Sequence, residues 1–169
     1  MPTSGEPLAR ITRLTESDWE QFADLRLRAL TDVLGTTDHQ YRSEARFSAA
    51  QWRLRLRDHA QFAVFVAGAA GPATSDSDRP VGLIAAYTQS ADTVYLYSLW
   101  LDPAVRGHGL ARQLVGAVLD WARRRGARLV TLRMAADNRA ARAVYESHGF
   151  REVPGGTPAG EVAMMLRIG

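Results

Sequence analysis

No cysteine occurs among the 169 residues, and no lysine either, so all 21 basic residues are arginine. The first absence excludes disulfides, thiolate nucleophiles and cysteine-based zinc sites, and no metal is expected. The second excludes a P-loop, whose Gly-Lys-Ser/Thr core brings a lysine to the phosphates. Long apolar runs are missing too: nothing approaches the roughly 18 residues of a membrane helix. The N-terminal MPTSGEPLARITRL lacks the apolar segment of a secretion signal. A soluble, cytoplasmic chain with no membrane partner is the expectation. Excess charge is scarce as well. The formal net charge is only +3, and the sequence pI of about 9.8 reflects arginine's high pKa rather than a cationic surface. The one compact basic run, Arg123-Arg124-Arg125, falls near a helix C-terminus, where cations complement the dipole. Nucleic acid is therefore not an expected partner.

What is present suffices for a core. With 46% apolar residues, a chain of this length reads as a single domain over 1–169, its core over 8–168. Residues 10–14 (RITRL) alternate as a short strand. A helix follows to about Val33, with Thr15 or Ser17 as N-cap and Trp19, Phe22, Leu25, Leu27 and Leu30 on its stripe. Residues 34–46 mix polarity around Gly35 and read as an exposed loop. A second helix spans 48–58 through Trp52, Leu54 and Leu56. Strands at 61–67 and 81–88 flank the low-complexity stretch 68–80 (GAAGPATSDSDRP), read as a flexible hairpin tip. A turn at 89–92 leads into the central strand, 94–101. Residues 128–134 form another strand and 138–148 a helix, and 150–153 with 162–168 close the chain as a strand pair. The order is β-α-α-β-β-β-α-β-α-β-β. Three antiparallel strands thus feed a β-α-β unit, which makes an α/β fold with a mixed sheet and helices on both faces.

The chain is organised around residues 98–126, SLWLDPAVRGHGLARQLVGAVLDWARRRG. Asp102-Pro103 ends the strand, since proline has no N–H for a ladder. Arg106-Gly107-His108-Gly109-Leu110-Ala111 follows, with glycines at alternate positions. Leu114, Val115, Val118, Leu119 and Ala122 then recur at helical spacing, and Gly126 closes the helix. Such a turn aims several N–H groups into one concavity, and the helix start adds its own unpaired N–H groups and positive dipole end. A pyrophosphate is the natural occupant. A dinucleotide fingerprint fails, because its third glycine or alanine would fall at Arg112. On these residues alone, a glycine-rich connection without a ligand remains equally open.

A second stretch, residues 137–150, reads DNRAARAVYESHGF. Asn138 caps a helix, and Ala141, Val144, Tyr145 and His148 share one face. Gly149 ends the helix and Phe150 anchors the next strand. Read by itself, Asn138 is a cap and Tyr145 a core residue.

Together the two stretches carry a resemblance. Arg106, Gly109 and Ala111 fill the pattern Arg/Gln-x-x-Gly-x-Gly/Ala, and Asn138, Ala141, Val144, Tyr145, Gly149 and Phe150 fill Asn-x-x-Ala-x-x-Leu/Val-Tyr-x-x-x-Gly-Phe. Both resemble the GCN5-related N-acetyltransferases (the GNAT superfamily), and the element order agrees over nearly the whole chain. The resemblance implies an acetyl-CoA-dependent N-acetyltransferase that moves the acetyl group directly to an amine of a small molecule or peptide. It implies that backbone groups of Leu99 and Leu101 pair with the pantetheine arm. Arg106, Gly107, His108, Gly109, Leu110 and Ala111, with Arg112, would take the pyrophosphate. Asn138 would hydrogen-bond the pantetheine, and Tyr145 would protonate the leaving sulfur. Many relatives dimerise, so a homodimer is open.

Two points fall outside the pattern. Many relatives carry a glutamate on or beside the central strand as general base, whereas residues 94–101 hold no carboxylate. Glu44, Asp92 and His39 lie elsewhere and read as solvated surface groups, and a water chain to solvent is the other route. The acceptor is not defined either: in 34–46, Asp38 and Glu44 stand against Arg42 and Arg46. A non-catalytic acyl-CoA sensor is the alternative reading.

Overall fold

A computed structural model describes residues 9–66 and 79–169. All but Arg79 and Pro80 of the tip read over 68–80 thus lies outside the described residues. In chain order the elements are β1 (Ala9–Leu14), α1 (Trp19–Val33), α2 (His39–Glu44), α3 (Ala49–Asp58), β2 (Ala60–Val66), β3 (Gly82–Thr88), β4 (Thr93–Leu101), α4 (Leu110–Arg124), β5 (Leu129–Ala135), α5 (Arg139–Ser147), β6 (Arg151–Val153) and β7 (Glu161–Arg167).

Local chemistry sets the boundaries. Ser48 and Gln51 exchange side-chain and backbone bonds across the first turn of α3 (2.8 and 3.3 Å), a reciprocal capping box. The Asn138 side chain accepts from Ala141 N–H at 3.1 Å and starts α5. At the end of α4, Ala127 N–H reaches Ala122 C=O and Gly126 N–H reaches Arg123 C=O, both at 3.0 Å. This closure needs Gly126 in the left-handed region, at φ 79°.

The strands form one seven-stranded sheet in the order β1-β2-β3-β4-β5-β7-β6. All neighbours are antiparallel except β4 and β5, the parallel pair that α4 joins. Alternate residues of the central strands feed two cores. Ile84, Leu96 and Leu132 pack with Leu114, Val115 and Val118 of α4. On the other face Leu83 and Trp100 pack with Phe22 and Leu25 of α1 and Trp52 and Leu56 of α3. Gly82 lies where strands crowd: a Cβ there would meet a Leu101 methyl at 2.5 Å and Val64 at 2.9 Å.

The expected mixed α/β sheet with helices on both faces is what the chain forms. One expectation fails. Residues 34–46 are not an exposed loop, because they contain α2, capped by Asp38 to Gln40 N–H at 2.8 Å, and they bury Glu44. The helical order therefore gains one member before β2.

Candidate active site

The central strand breaks its own alternation. Val94 and Leu96 face α4, but beyond them Leu99 and Leu101 do so, while Trp100 joins the opposite core. The register explains the change. Tyr97 pairs with Ala85 and Trp100 with Leu83, so three steps along β4 oppose two along β3. The extra residue is a bulge at Ser98, whose φ of 58° is the one positive value outside glycine among the described residues. Holding a serine there costs about 1–2 kcal/mol, and a side-chain bond helps to fix it: Arg26 Nη1 donates to Ser98 Oγ at 3.2 Å. Just here β4 leaves β5. Their pairing covers Thr93–Leu96 against Leu129–Leu132 only, while β5 continues against β7 to Ala135. The edge of β4 from Tyr97 onward faces a gap, and backbone groups along such an edge need partners.

The turn before α4 opens into that gap. Gly107 (φ 84°) and Gly109 (φ 80°) take left-handed conformations that alternate with ordinary ones. Among the described residues no backbone acceptor engages the amides of Gly107, His108 or Gly109, and the first-turn amides of α4 have no acceptor within the helix. A Cβ at either glycine would meet nothing within 4 Å, so these positions border open space. A cavity of about 460 Å³ fills it, lined by Leu99, Leu101, Arg106, Gly107, Gly109, Leu110, Ala111 and Arg112, and on its far side by Asn138, Ala141 and Val144 of α5. Ten residues were expected around the cofactor, and the cavity gathers nine of them. His108 is exposed and is not among the lining residues.

Arg106 does more than rim the cavity. Its Nη2 pairs with Asp32 at 2.8 Å and its Nε donates to the Leu101 carbonyl at 3.1 Å, tying the turn to α1 and to the strand end. Asp32 also accepts Trp100 Nε1 at 2.9 Å, and that bond, followed by Arg106, holds its carboxyl below the usual range. Arg112, exposed and in no ion pair among the described residues, also lines the cavity.

At the start of α5 Asn138 lines the cavity, and with its oxygen accepting the cap bond its amide N–H₂ remains as a donor. Tyr145 is buried in the core, edge-on to Phe150 at 5.6 Å, and does not line the cavity wall. Burial, with a smaller push from Tyr95, raises its hydroxyl well above the usual range. His148 Nε2 bonds the Arg112 carbonyl at 2.9 Å, so α5 and the start of α4 are held together.

The surface groups weighed as bases separate clearly. Glu44 is not solvated: it is 2% exposed. Arg26 grips it with two bonds (3.0 and 3.3 Å), and Arg55 (2.6 Å) and Gln40 (3.0 Å) complete its shell. Burial pushes its carboxyl up, but Arg26, with Gln40 and Arg55, more than reverses this and leaves it below the usual range. It is an ionised structural anchor. Asp92 serves the β3–β4 turn, accepting from Ser90 and Thr93 at the sheet's other end. His39 borders a hollow of Arg42, Ser43, Arg46, Phe47 and Gln51, away from β4. Sequence reasoning passed over His59, whose Nδ1 hydrogen-bonds the Tyr97 hydroxyl. A signal did exist: Tyr87, Tyr95 and Tyr97 fall on alternate positions of paired strands and so share a face, and His59 directly precedes their neighbour β2.

Comparison with known proteins adds the following. The profile described as Acetyltransferase (GNAT) family matches residues 14–150. The chain is 24% identical over 150 residues to an uncharacterized N-acetyltransferase of Methanocaldococcus jannaschii, across 84% of this chain and 60% of that one. It is 38% identical over 61 residues to the ribosomal protein bS18-alanine N-acetyltransferase of Escherichia coli, across 36% of this chain and 41% of that one. In both cases the chain spans less than two thirds of the relative's length. Among solved structures, PaiA N-acetyltransferase from Thermoplasma acidophilum in complex with coenzyme A superposes with a TM-score of 0.70 at 15% identity, covering 95% of this chain and 99% of that one.

Proposed function

The chain belongs to the Acetyltransferase (GNAT) family, and from that premise we propose that it moves an acetyl group directly from acetyl-CoA to a primary amine. The observation that carries this is the junction of β4, β5 and α4. An unpaired strand edge, a turn of unengaged amides and a helix start all open on one cavity of about 460 Å³. That donor set fits coenzyme A. Its phosphates suit the amides of Gly107–Arg112 and the Arg112 side chain, and its amide-bearing arm suits a strand edge between apolar walls.

In this reading the amides of the turn and of the first turn of α4 hold the pyrophosphate, with Arg112 supplying charge. Leu99 and Leu101 present backbone groups to the pantetheine, for which the Leu101 carbonyl already has one partner in Arg106. The Asn138 amide donates to the same arm. An N–H on the splayed edge of β4 is placed to polarise a carbonyl, as an oxyanion hole does. When bound, acetyl-CoA supplies the acetyl thioester, so no acyl-enzyme is needed and the lack of cysteine is no obstacle.

Tyr145 is the acid in this reading, which requires the bound thioester to reach past the cavity lining, where Tyr145 is absent, to the phenol beside Val144 in the chain. Its raised value keeps the phenol protonated throughout neutral pH, and it also makes the phenol a weak donor against a thiol. Tyr145→Phe should therefore lower kcat by roughly 10²-fold, the low end of general-acid effects, with the Kd of acetyl-CoA unchanged. A Tyr145→Phe protein of full activity would return Tyr145 to the core alone.

The test of the whole reading is thiol release from acetyl-CoA over a panel of amines, paired with calorimetric binding of the cofactor. An alanine-initiated peptide goes first in the panel, because the E. coli relative is named for an alanine N-acetylation. Binding with turnover is the expected result. Binding without turnover overturns the transferase reading in favour of a cofactor-sensing module, and no binding overturns both.

A further inference from the structure

A second hollow, of about 410 Å³, lies on the opposite face of the sheet between α1, α3 and strands β2–β4. It meets the first at a single place on the chain. Tyr97 and Ser98 line this hollow, and Leu99 lines the other. The bulge thus stands between two cavities, beside the gap where β4 has left β5. A thioester carried along the α4 face and an amine arriving from the α1/α3 face would meet there.

The hollow holds a built pair of proton carriers. His59 Nδ1 hydrogen-bonds the Tyr97 hydroxyl. The His59 ring is clamped, stacked on Tyr87 at 4.9 Å and edge-on to Tyr97 at 5.6 Å. The charged and titratable groups facing it are Arg26 from α1, Arg55 and Asp58 from α3, Tyr87 from β3 and Tyr97 from β4. Both arginines are already bound to Glu44. Burial, opposed by Asp58 and aided by Arg55, lowers His59 below the usual imidazole range, so it is neutral at pH 7. Burial raises the Tyr97 phenol, against a hydrogen bond from Gln61, so it stays protonated. A neutral imidazole beside a protonated phenol is the resting state of a proton relay.

Resting on the acetyltransferase reading, we propose that this hollow receives the acceptor amine, that Tyr97 takes its proton, and that His59 receives the proton Tyr97 gives up. The acceptor enters as R–NH₃⁺. One proton passes to the Tyr97 oxygen as the Tyr97 proton moves to His59 Nδ1. The freed nitrogen lone pair forms the C–N bond to the acetyl carbon, and the C–S bond breaks with its electron pair on sulfur. The thiolate then gains one proton, by way of Tyr145 or solvent, while the nitrogen loses one in becoming an amide. His59 returns its proton to solvent, so each turnover releases one proton overall. Tyr97 is the catalytic residue, and His59 acts through it.

The experiment pairs kinetics with imidazole NMR on the full chain. Using the amine that the wild-type protein turns over, kcat/KM should fall off on the acid side with an inflection below about pH 6.5, the unperturbed imidazole value. His59→Gln should lower kcat/KM by roughly 10²- to 10⁴-fold, abolish that inflection and leave acetyl-CoA affinity within about twofold. Tyr97→Phe, the milder change, should cost a similar factor. It should also raise the His59 pKa read by NMR without any substrate, since it deletes a hydrogen bond donated to the neutral ring. Full activity with an unaltered pH profile in both variants overturns this proposal and leaves the acetyltransferase reading standing. So does a fall in the His59 pKa in Tyr97→Phe, which would mean that the ring donates to the phenol. Cofactor binding without turnover of any amine by the wild-type protein overturns both readings.

Discussion

The two faces of β4 hold cavities of similar size, about 460 and 410 Å³, built in opposite ways. The α4-side cavity is made of near neighbours: a strand end, a turn and a helix start within residues 99–112, with a few residues of α5 opposite. Its donors are mainly backbone amides. The other hollow draws one to three side chains from each of α1, α2, α3, β2, β3 and β4, with His59 between α3 and β2, and its donors and charges belong to those side chains. A locally built site binds what every member of a family must bind. A site assembled from separate elements can change its specificity one side chain at a time. The comparison predicts that the first cavity breaks through backbone changes and the second through distant side chains.

The largest effect tests the second cavity. Glu44 never lines it, yet Glu44 holds Arg26 and Arg55, which do, and Arg26 in turn holds Ser98. Glu44→Ala leaves two guanidinium groups without their anion and should cost about 3–5 kcal/mol of stability, read by urea denaturation. The pH dependence follows from the same bonds. The folded carboxyl lies below its usual range, so its contribution is complete above the unfolded value of about 4.3 and is lost as pH falls through the folded one. The wild-type protein should therefore lose stability on acidification over that range, and Glu44→Ala should lose less. A Glu44→Ala protein as stable as wild type would show that the hollow does not depend on this anchor.

Next comes the first cavity. Gly109→Asp places a carboxylate among the unengaged amides of the turn. A Cβ there meets nothing, so the change should spare the fold apart from the cost of φ 80° for a side chain, about 1–2 kcal/mol. Acetyl-CoA affinity should fall by roughly 100-fold or more, about 2.7 kcal/mol. Calorimetry that found the wild-type Kd would mean the pyrophosphate does not lie in this turn.

The same contrast explains what could be read from the sequence. Helix periodicity, caps and glycine closures are local, and so α4, α5 and the turn follow from the sequence directly, while the residues around the α4-side cavity come with the family resemblance that those local motifs carry. α2 does not, because HQYRSE has no apolar stripe and its six residues show no period. Glu44 is buried by partners 11 and 18 residues away, which no local window contains. His59 meets Tyr97 across 38 residues. The bulge is not legible either: residues 94–101 read as one regular strand, and only the pairing with β3 shows that Ser98 absorbs an extra step and turns Trp100 to the opposite core.

The smallest effect bears on that residue, where the two cavities join. Ser98→Gly removes the strain of φ 58°, about 1–2 kcal/mol. It adds the chain entropy of glycine, about 0.5–1 kcal/mol, and deletes the bond from Arg26, about 1 kcal/mol. These terms nearly cancel, and the stability should stay within about 1 kcal/mol of wild type. Ser98→Val shares the loss of the bond and cannot relax into the left-handed region, so it should cost about 1–3 kcal/mol more than Ser98→Gly. If glycine and valine were equally tolerated, the bulge would be adjustable, and β4 could re-pair along its length. Strand edge and hollow would then lose their common border. A clear gap between the two variants means that the backbone at Ser98 is fixed, and with it the meeting point of the two faces.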